Sequence, residues 1–197
     1  MEINVFNRWS TSGIKVTDPG LVRYITLKPR IVPKSQGRNI GVRFHKSKNS
    51  IVERLINKLM VAGHKGKKHL KTSGHNTGKN KALQLVEKAF EIIESKTNKN
   101  PIEVLVKAIG NAAPREEIIT IEYGGARYPK AVECAPQRRI DIALRQMVQG
   151  AYHKAFNSKK KAAQTLAEEI INAYNLSGNS IAIVKKLELE RQADSSR

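Results

Sequence analysis

Residues 116–139 read EEIITIEYGGARYPKAVECAPQRR and interrupt a chain whose apolar residues otherwise repeat with helical spacing. Two runs rich in β-branched and aromatic residues flank Gly124-Gly125, and this pattern predicts a β-hairpin at about residues 116–134. Pro129 has no N–H to donate, so the second strand is expected to have a free edge. A two-stranded ribbon is marginally stable alone. Its base must therefore rest on helices, while its tip projects.

The tip of this predicted hairpin mixes aromatic rings with positive charge. The residues concerned are Tyr123, Arg127, Tyr128 and Lys130. Aromatic rings stack on unpaired bases, and cations neutralise phosphates, so the mixture is typical of a contact with nucleic acid. The alternative is an ordinary surface hairpin with no partner.

Amphipathic stripes on both sides of the hairpin predict six helices, which begin near residues 50, 79, 100, 136, 158 and 181. Ser50 and Glu53 match a capping box, in which each side chain bonds the backbone of the first turn. Asn100 followed by Pro101 matches an N-cap and a proline in the first turn, and Gly110 is expected to end that helix. The sequence therefore predicts a mainly α fold, with one inserted, projecting β-hairpin arm and a basic N-terminal extension.

Positive charge dominates the chain and is concentrated in its first two-fifths. The formal net charge is +19, of which residues 1–81 contribute +15. Such an excess indicates a polyanionic partner: nucleic acid, an anionic membrane or an acidic protein. No apolar run approaches the roughly 20 residues that a membrane span needs, so no membrane partner is expected. The single cysteine, Cys134, fits a reducing cytosol.

Residues 1–48 are interpreted as a basic extension, and residues 49–197 as the helical domain. Glycines and prolines punctuate the extension, and its cations follow no fixed period. The functional interpretation is an arm that becomes ordered on RNA, and the alternative is a solubilising tail. The candidate RNA-binding residues of this segment are Arg30, Lys34, Arg38, Arg43, Lys46 and Lys48.

The densest run of charge is HKGKKHLKTSGHNTGKNK, residues 64–81, which has six lysines, three glycines and no acid. A loop of this composition can bring both ammonium groups and backbone amides to phosphates. Its three histidines lack acidic or cysteine neighbours and lie among lysines that repel cations, so no metal site is expected. The candidate RNA-binding residues here are Lys65, Lys67, Lys68, Lys71, Lys79 and Lys81.

Arg138 and Arg139 lie at the N-terminal end of the fourth predicted helix. The helix dipole favours an anion there, so two positive charges at this end are unfavourable. An external phosphate would relieve this conflict. Arg145 lies on the polar face of the same helix, and Arg115 leads into the hairpin. We include all four in the candidate RNA-binding set and expect the whole set to converge on one surface.

Three stretches resemble the family of small-subunit ribosomal protein seven. GGARYPKAVECAPQRRIDIALR, residues 124–145, is similar to the hairpin and following helix of that family. The helix at residues 55–60 (LINKLM) is a second match, and Gly78-Lys79 followed by residues 82–90 is a third. Together they cover roughly residues 50–176, and the tail resembles the archaeal and eukaryotic branch.

This resemblance implies a helical body with a projecting hairpin arm. It also implies binding to small-subunit rRNA in the head, the 3′ major domain, where the protein nucleates assembly. Exit-site tRNA, mRNA and neighbouring small-subunit proteins would lie nearby, on the ribosome of the cytoplasm. No cofactor and no catalysis are expected.

Two other classes remain open on the residues alone. An architectural DNA-binding protein with a β-arm could share the charge, the helices and the ribbon. An RNA-modifying enzyme is the other class, but Cys134 has no histidine nearby in sequence, and no cofactor loop or metal set is evident.

Overall fold

Helices form most of the structure. The computed structural model describes residues 3–36, 41–60 and 78–197. Two short 3-10 turns, Val22–Tyr24 and His45–Lys48, precede the first helix. The elements that follow are α1 (Ile51–Leu59), α2 (Lys79–Thr97), α3 (Pro101–Ala112), β1 (Glu116–Tyr123), β2 (Ala126–Glu133), α4 (Pro136–Ala155), α5 (Ala162–Tyr174) and α6 (Ile181–Asp194). For this part of the chain, the predicted mainly α fold with six helices and one β-hairpin is confirmed.

The apolar stripes of the helices meet in one core, in which α5 packs against α2, α3 and α4. Leu166 and Ile170 of α5 are fully buried, as are Phe90 of α2, Ile109 of α3 and Leu144 of α4. These residues recur every three or four positions, so each helix turns one face inward. The opposite faces remain available to bear charge.

The ends of α3 show one correct and one wrong prediction. The Asn100 side-chain oxygen accepts the Ile102 N–H at 3.0 Å, which confirms the cap. The predicted stop at Gly110 is wrong, because α3 continues to Ala112. Pro114 follows two residues later, and the residue before a proline is disfavoured in helical conformation. Proline rather than glycine therefore ends this helix.

The predicted capping box at the start of α1 is also wrong. Ser50 is the N-cap residue, but its side chain bonds no helix N–H. Glu53 is fully buried and accepts hydrogen bonds from the Ser35 N–H at 2.6 Å and the Lys79 ammonium at 3.0 Å. Distant partners have displaced the local one, because a buried carboxylate needs charged or strong donors.

Part of the N-terminal segment packs on the helical body. Trp9 is buried, stacks edge-on against Phe90 with ring centroids 5.6 Å apart, and donates its indole N–H to Glu94 at 3.0 Å. Leu21 and Ile25 are also buried. Further along the segment, the Thr26 carbonyl accepts the Ile51 N–H at the start of α1 at 3.0 Å, and Lys46 pairs with Asp141 of α4. The domain boundary at residue 48 stays a prediction.

A buried carboxylate joins the last three helices. Glu169 of α5 accepts hydrogen bonds from the Ser180 hydroxyl at 2.7 Å and the Ala182 N–H at 3.2 Å, both at the start of α6. Lys154 of α4 donates to the same carboxylate at 2.6 Å. Gly150 of α4 lies directly against it. This junction determines how α6, and with it the base of the hairpin, sits on the body.

The hairpin is an antiparallel ribbon in which Tyr123 pairs with Ala126 and Glu116 pairs with Glu133. Its two loop residues, Gly124 and Gly125, have φ of +56° and +83°. Positive φ at both central positions is the geometry of the tightest hairpin turns and strongly favours glycine. The ribbon packs on α6 near its base, and it is exposed from Ile119 to Lys130.

Candidate nucleic-acid interface

Four cations lie close together where α1, α4 and the turn before α1 meet, and two of them pair with a single carboxylate. Lys46 forms an ion pair with Asp141, and the Arg54 guanidinium lies 3.1 Å from the other oxygen of the same carboxylate. Lys58 interacts electrostatically with Asp141 and with Arg145, and these two cations complete the group. We call these five residues the α1–α4 basic cluster. It carries three positive charges more than its carboxylate can neutralise.

The cluster perturbs the ionisation of its own members. Burial lowers the pKa of Lys58, and repulsion from Arg145, Lys46 and Arg54 lowers it further, whereas Asp141 opposes this effect. Burial alone would raise the pKa of Asp141, but the hydrogen bond from Lys46 and the charges of Arg54 and Lys46 hold it below its ordinary value. An anion bound beside Lys58 would relieve the remaining repulsion, because opposite charges favour the ionised form.

One face of α4 connects this cluster to the ribbon. Residues seven apart on an α-helix point within about 20° of the same direction, so Arg138 and Arg145 share a face. Arg138 is 57% exposed, and its guanidinium lies 2.6 Å from a carboxylate oxygen of Glu117 in β1. The charged face of α4 therefore continues onto the base of the hairpin.

The strand register divides the ribbon into two faces. Directly opposed residues share a face, so Ile121 and Tyr128 lie together, as do Ile119 and Lys130. Tyr123 falls on this same face, which we call the aromatic face. Glu117 belongs to it as well, because side chains alternate along a strand. The aromatic face is therefore the one continuous with Arg138.

Arg127 lies on the other face of the ribbon. It opposes Glu122 in the register, and its guanidinium is 3.7 Å from that carboxylate. The tip thus separates Arg127 from the two tyrosine rings with which we grouped it. Lys130 is the candidate cation that shares the face of the rings.

The buried Glu53 carboxylate lies close to two of the predicted RNA-binding cations. Lys79 lies 3.0 Å from one of its oxygens and Arg30 lies 3.7 Å from the other. Arg43 lies over the exposed ring of Phe44, with 5.4 Å between guanidinium and ring centroid. The remaining described candidates of this part are exposed: Lys34, Lys48 and Lys81.

Arg139 has a different role from the one that we predicted. It is only 8% exposed, lies 2.6 Å from Asp18 and donates to the Pro114 carbonyl at 3.0 Å. Two residues apart on a helix project about 200° apart, so Arg139 points away from Asp141. Its guanidinium holds the N-terminal segment against the hairpin base. Arg115 is exposed near it, and we leave both residues out of the interface proposed below.

Five predicted RNA-binding residues lie outside the described part of the chain. They are Arg38, Lys65, Lys67, Lys68 and Lys71. For these residues the expectation from composition stays a prediction.

Sequence analysis missed two members of the basic cluster, Arg54 and Lys58. Their helix was predicted from its apolar stripe alone. A signal was present, because two cations four residues apart lie side by side on a helix. The partner that makes them a cluster, Asp141, is 87 residues away from Arg54 and gives no local signal.

The described residues offer little basis for catalysis. Burial raises the pKa of the Cys134 thiol to about 11, and the neighbouring Glu117 carboxylate raises it as well, so the thiol is protonated near neutral pH and is a poor nucleophile. Within residues 3–36, 41–60 and 78–197, no three His, Cys, Asp or Glu side chains group as metal ligands would. No described helix is long and apolar enough to cross a membrane.

We expect Glu53→Gln to lower the free energy of unfolding at pH 7 by roughly 2 kcal/mol, because charged hydrogen bonds contribute about 1.5–3 kcal/mol. Burial would raise the pKa of Glu53, but hydrogen bonds from Ser35 and Lys79 outweigh it and hold the pKa below 4.5. A depressed pKa stabilises the fold above pH 4.5, and this stabilisation is lost as the pH falls. Urea unfolding from about pH 7 to about pH 3 should therefore show the two proteins converging in acid.

Glu122→Gln serves as the control for this prediction, because Glu122 is 63% exposed on the ribbon. Its stability should stay within about 0.5 kcal/mol of the parent protein, since exposed ion pairs contribute little. A constant difference between Glu53→Gln and the parent at every pH would contradict the assigned ionisation of Glu53.

The sequence of the chain is similar to that of a known protein family. The sequence profile of the family described as "Ribosomal protein S7p/S5e" matches residues 21–197. The chain is 54% identical to small ribosomal subunit protein uS7 of Nanoarchaeum equitans, over the full length of both. It is 50% identical to uS7 of Archaeoglobus fulgidus, over all of this chain and 96% of the relative. The resemblance found in the hairpin and helices is thus confirmed, and the chain belongs to the S7p/S5e family of ribosomal proteins.

Proposed function

We propose that the protein is a structural constituent of the small ribosomal subunit and binds small-subunit rRNA with the α1–α4 basic cluster and the aromatic face of the ribbon. The observation that carries this proposal is the surplus charge of the cluster, in which four cations lie together with one carboxylate, and only Lys46 and Arg54 pair with it directly. Family membership supports the choice of rRNA as the polyanion.

The proposed contact combines two kinds of recognition. Lys58 and Arg145 offer surplus charge beside α4, where a folded RNA backbone presents phosphates, and the exposed Arg138–Glu117 pair extends this surface toward the ribbon. Tyr123 and Tyr128 extend the surface outward, with 82% and 58% of their area exposed. Unpaired bases stack on such rings. A rigid body with a projecting ribbon thus suits a junction where helices and unpaired nucleotides meet.

The finer placement follows from the family resemblance. We infer that the rRNA target is in the subunit head, the 3′ major domain, and that binding nucleates assembly there. The ribbon would lie near the exit tRNA site and the mRNA path. The projecting, aromatic character of the hairpin supports a role at an RNA-lined surface.

Filter binding of the full chain to a transcript of the 3′ major domain tests this function. If about six to ten phosphates are neutralised, affinity should fall roughly 10³- to 10⁵-fold between about 50 and 200 mM salt. The transcript should outcompete duplex DNA of equal length. Equal competition by duplex DNA would instead favour the architectural DNA-binding class, and an affinity that did not respond to salt would remove the electrostatic mechanism.

Tyr128→Ala is expected to weaken binding of this transcript about five- to a hundredfold, because stacking on one base contributes roughly 1–3 kcal/mol. Tyr128 is exposed on the aromatic face, so its removal should leave the fold intact. Filter binding at fixed salt measures the effect.

Thr120→Ala is the matched control, since Thr120 is exposed and its register places it on the opposite face of the same strand pair. Binding by this variant should equal that of the parent protein. If the two substitutions had the same effect, the aromatic face would lose its assigned role.

A further inference from the structure

A second charged feature lies on the side of α4 away from the basic cluster. It is a cavity of about 370 Å³ between the N-terminal segment, the end of α3, the start of the hairpin and α6. We call it the Arg115 pocket, and its lining includes Asp18, Asn111, Arg115, Arg139, Leu176 and Lys186. None of these residues belongs to the interface proposed above.

The pocket has more positive than negative charge among its described lining residues. Asp18 lies 2.6 Å from Arg139 and so neutralises it. Lys186 donates to the Asn111 carbonyl at 2.9 Å, and among the described residues it forms no ion pair. Arg115 is exposed and forms no ion pair within the described part of the chain, although its charge also helps to lower the pKa of Asp18. Arg115 and Lys186 therefore have no directly paired carboxylate and can donate to an external anion.

The surroundings of the pocket favour a single carboxylate over a nucleic-acid backbone. A neighbouring cavity of about 320 Å³ is lined by three cations and three carboxylates, Arg115, Lys186, Arg197, Glu116, Glu190 and Asp194. A polyanion would meet these acids wherever it extended beyond the pocket, and like charges repel. A protein chain with one acidic side chain would not suffer this repulsion.

Apolar side chains at the same place also indicate a protein partner. Leu176 lines the pocket and is 61% exposed, and two further apolar side chains outside the pocket lining, Val184 and Leu187, are exposed on α6. Protein interfaces combine apolar side chains with arginine in this way, whereas RNA-facing surfaces are more uniformly basic.

We propose that the Arg115 pocket binds an aspartate or glutamate side chain of a neighbouring protein, with Arg115 and Lys186 as donors and Leu176 as the apolar rim. The proposal does not depend on RNA binding, because the pocket is on the other side of α4. It gives α6 and the hairpin base a protein-facing role.

The test is an NMR titration of the ¹⁵N-labelled full chain with an acetylated, amidated Leu-Asp dipeptide. Amides that line the pocket, such as those of Asn111 and Lys186, should shift saturably. The isosteric Leu-Asn dipeptide, which lacks the charge, should produce no saturable shift. Arg115→Glu should raise the half-saturation concentration about tenfold or more, since a charged hydrogen bond contributes about 1.5–3 kcal/mol.

Arg191→Glu is the matched control. Arg191 is exposed on α6 outside the pocket, and its substitution changes the net charge by the same amount as Arg115→Glu. It should leave the titration unchanged. Tighter binding of dimethyl phosphate than of Leu-Asp at these amides would identify the pocket as an RNA phosphate site and overturn the proposal. The absence of any saturable shift at the pocket amides, or equal binding of Leu-Asn, would overturn it as well.

Discussion

Replacing Lys58 and Arg145 together with alanine is expected to weaken binding to the 3′ major domain transcript at least about a hundredfold, because two charged hydrogen bonds are lost and each contributes roughly 1.5–3 kcal/mol. Both cations belong to a cluster with surplus charge, so their removal leaves no carboxylate unpaired: Asp141 keeps Lys46 and Arg54. The slope of log affinity against log salt should become shallower by about two, one for each phosphate that the variant no longer neutralises.

The matched control is the double change of Lys88 and Lys96 to alanine. Both lysines are exposed on α2, outside the proposed interface, and their removal changes the net charge by the same amount. A protein whose attraction to RNA came only from its net charge would respond equally to the two double changes. Filter binding across a salt series separates these cases. An equal response of the two variants would contradict the role of the basic cluster in RNA binding.

Gly150→Ala is expected to lower the free energy of unfolding by about 1–3 kcal/mol, the usual range for overpacking a buried site. A Cβ at this position would lie 2.9 Å from the Glu169 carboxyl carbon and 3.1 Å from Cβ of Ile181. Neither neighbour can move freely, because Glu169 is fully buried and holds the start of α6 through Ser180 and Ala182. Helix propensity favours alanine over glycine by only about 1 kcal/mol, so the steric effect should win.

Gly178→Ala provides the comparison, because a Cβ there would meet nothing within 4 Å. Its stability should stay within about 0.5 kcal/mol of the parent protein, as is usual for open surface positions. Urea unfolding of the two variants measures the difference directly. If Gly150→Ala were as stable as Gly178→Ala, the packing between α4, α5 and α6 would be looser than the distances imply.

The prediction for Lys58 and Arg145 concerns RNA affinity, and the prediction for Gly150 concerns the stability of the fold. The junction around Glu169 positions α6, and α6 supports the base of the ribbon. A weakened junction should therefore also make the position of the aromatic face less well defined relative to the helical body. Weaker RNA binding by Gly150→Ala would then accompany its lower stability, whereas Lys58 and Arg145 should affect affinity alone.

Local chemistry made much of the fold predictable. The apolar stripe of each helix follows from residues three and four apart, and the cap at Asn100 involves an N–H only two residues away. Gly124 and Gly125 define the hairpin, because few other residues tolerate the φ values of its turn. The capping box at Ser50 failed for the opposite reason, since Glu53 found stronger partners elsewhere in the fold.

Arg138 and Arg139 show where prediction from sequence stops. They are adjacent and chemically identical, and the sequence offers no reason to separate them. In the structure Arg138 is exposed beside Glu117, whereas Arg139 is buried against Asp18, 121 residues earlier in the chain. The direction in which each leaves α4, and what packs there, determines which one can reach an external phosphate.

The amino-acid sequence alone determined the mainly α class, the hairpin, the excess of positive charge and the resemblance to a ribosomal family. These depend on spacing, composition and short motifs, which act over a few residues. Only the tertiary structure decided which cations are neutralised internally, that Lys58 lies close to Arg145, and that Arg115 lies in a pocket on the far side of α4. Each of these depends on the pairing of charges distant in sequence, because a carboxylate neutralises whichever cation the fold brings to it.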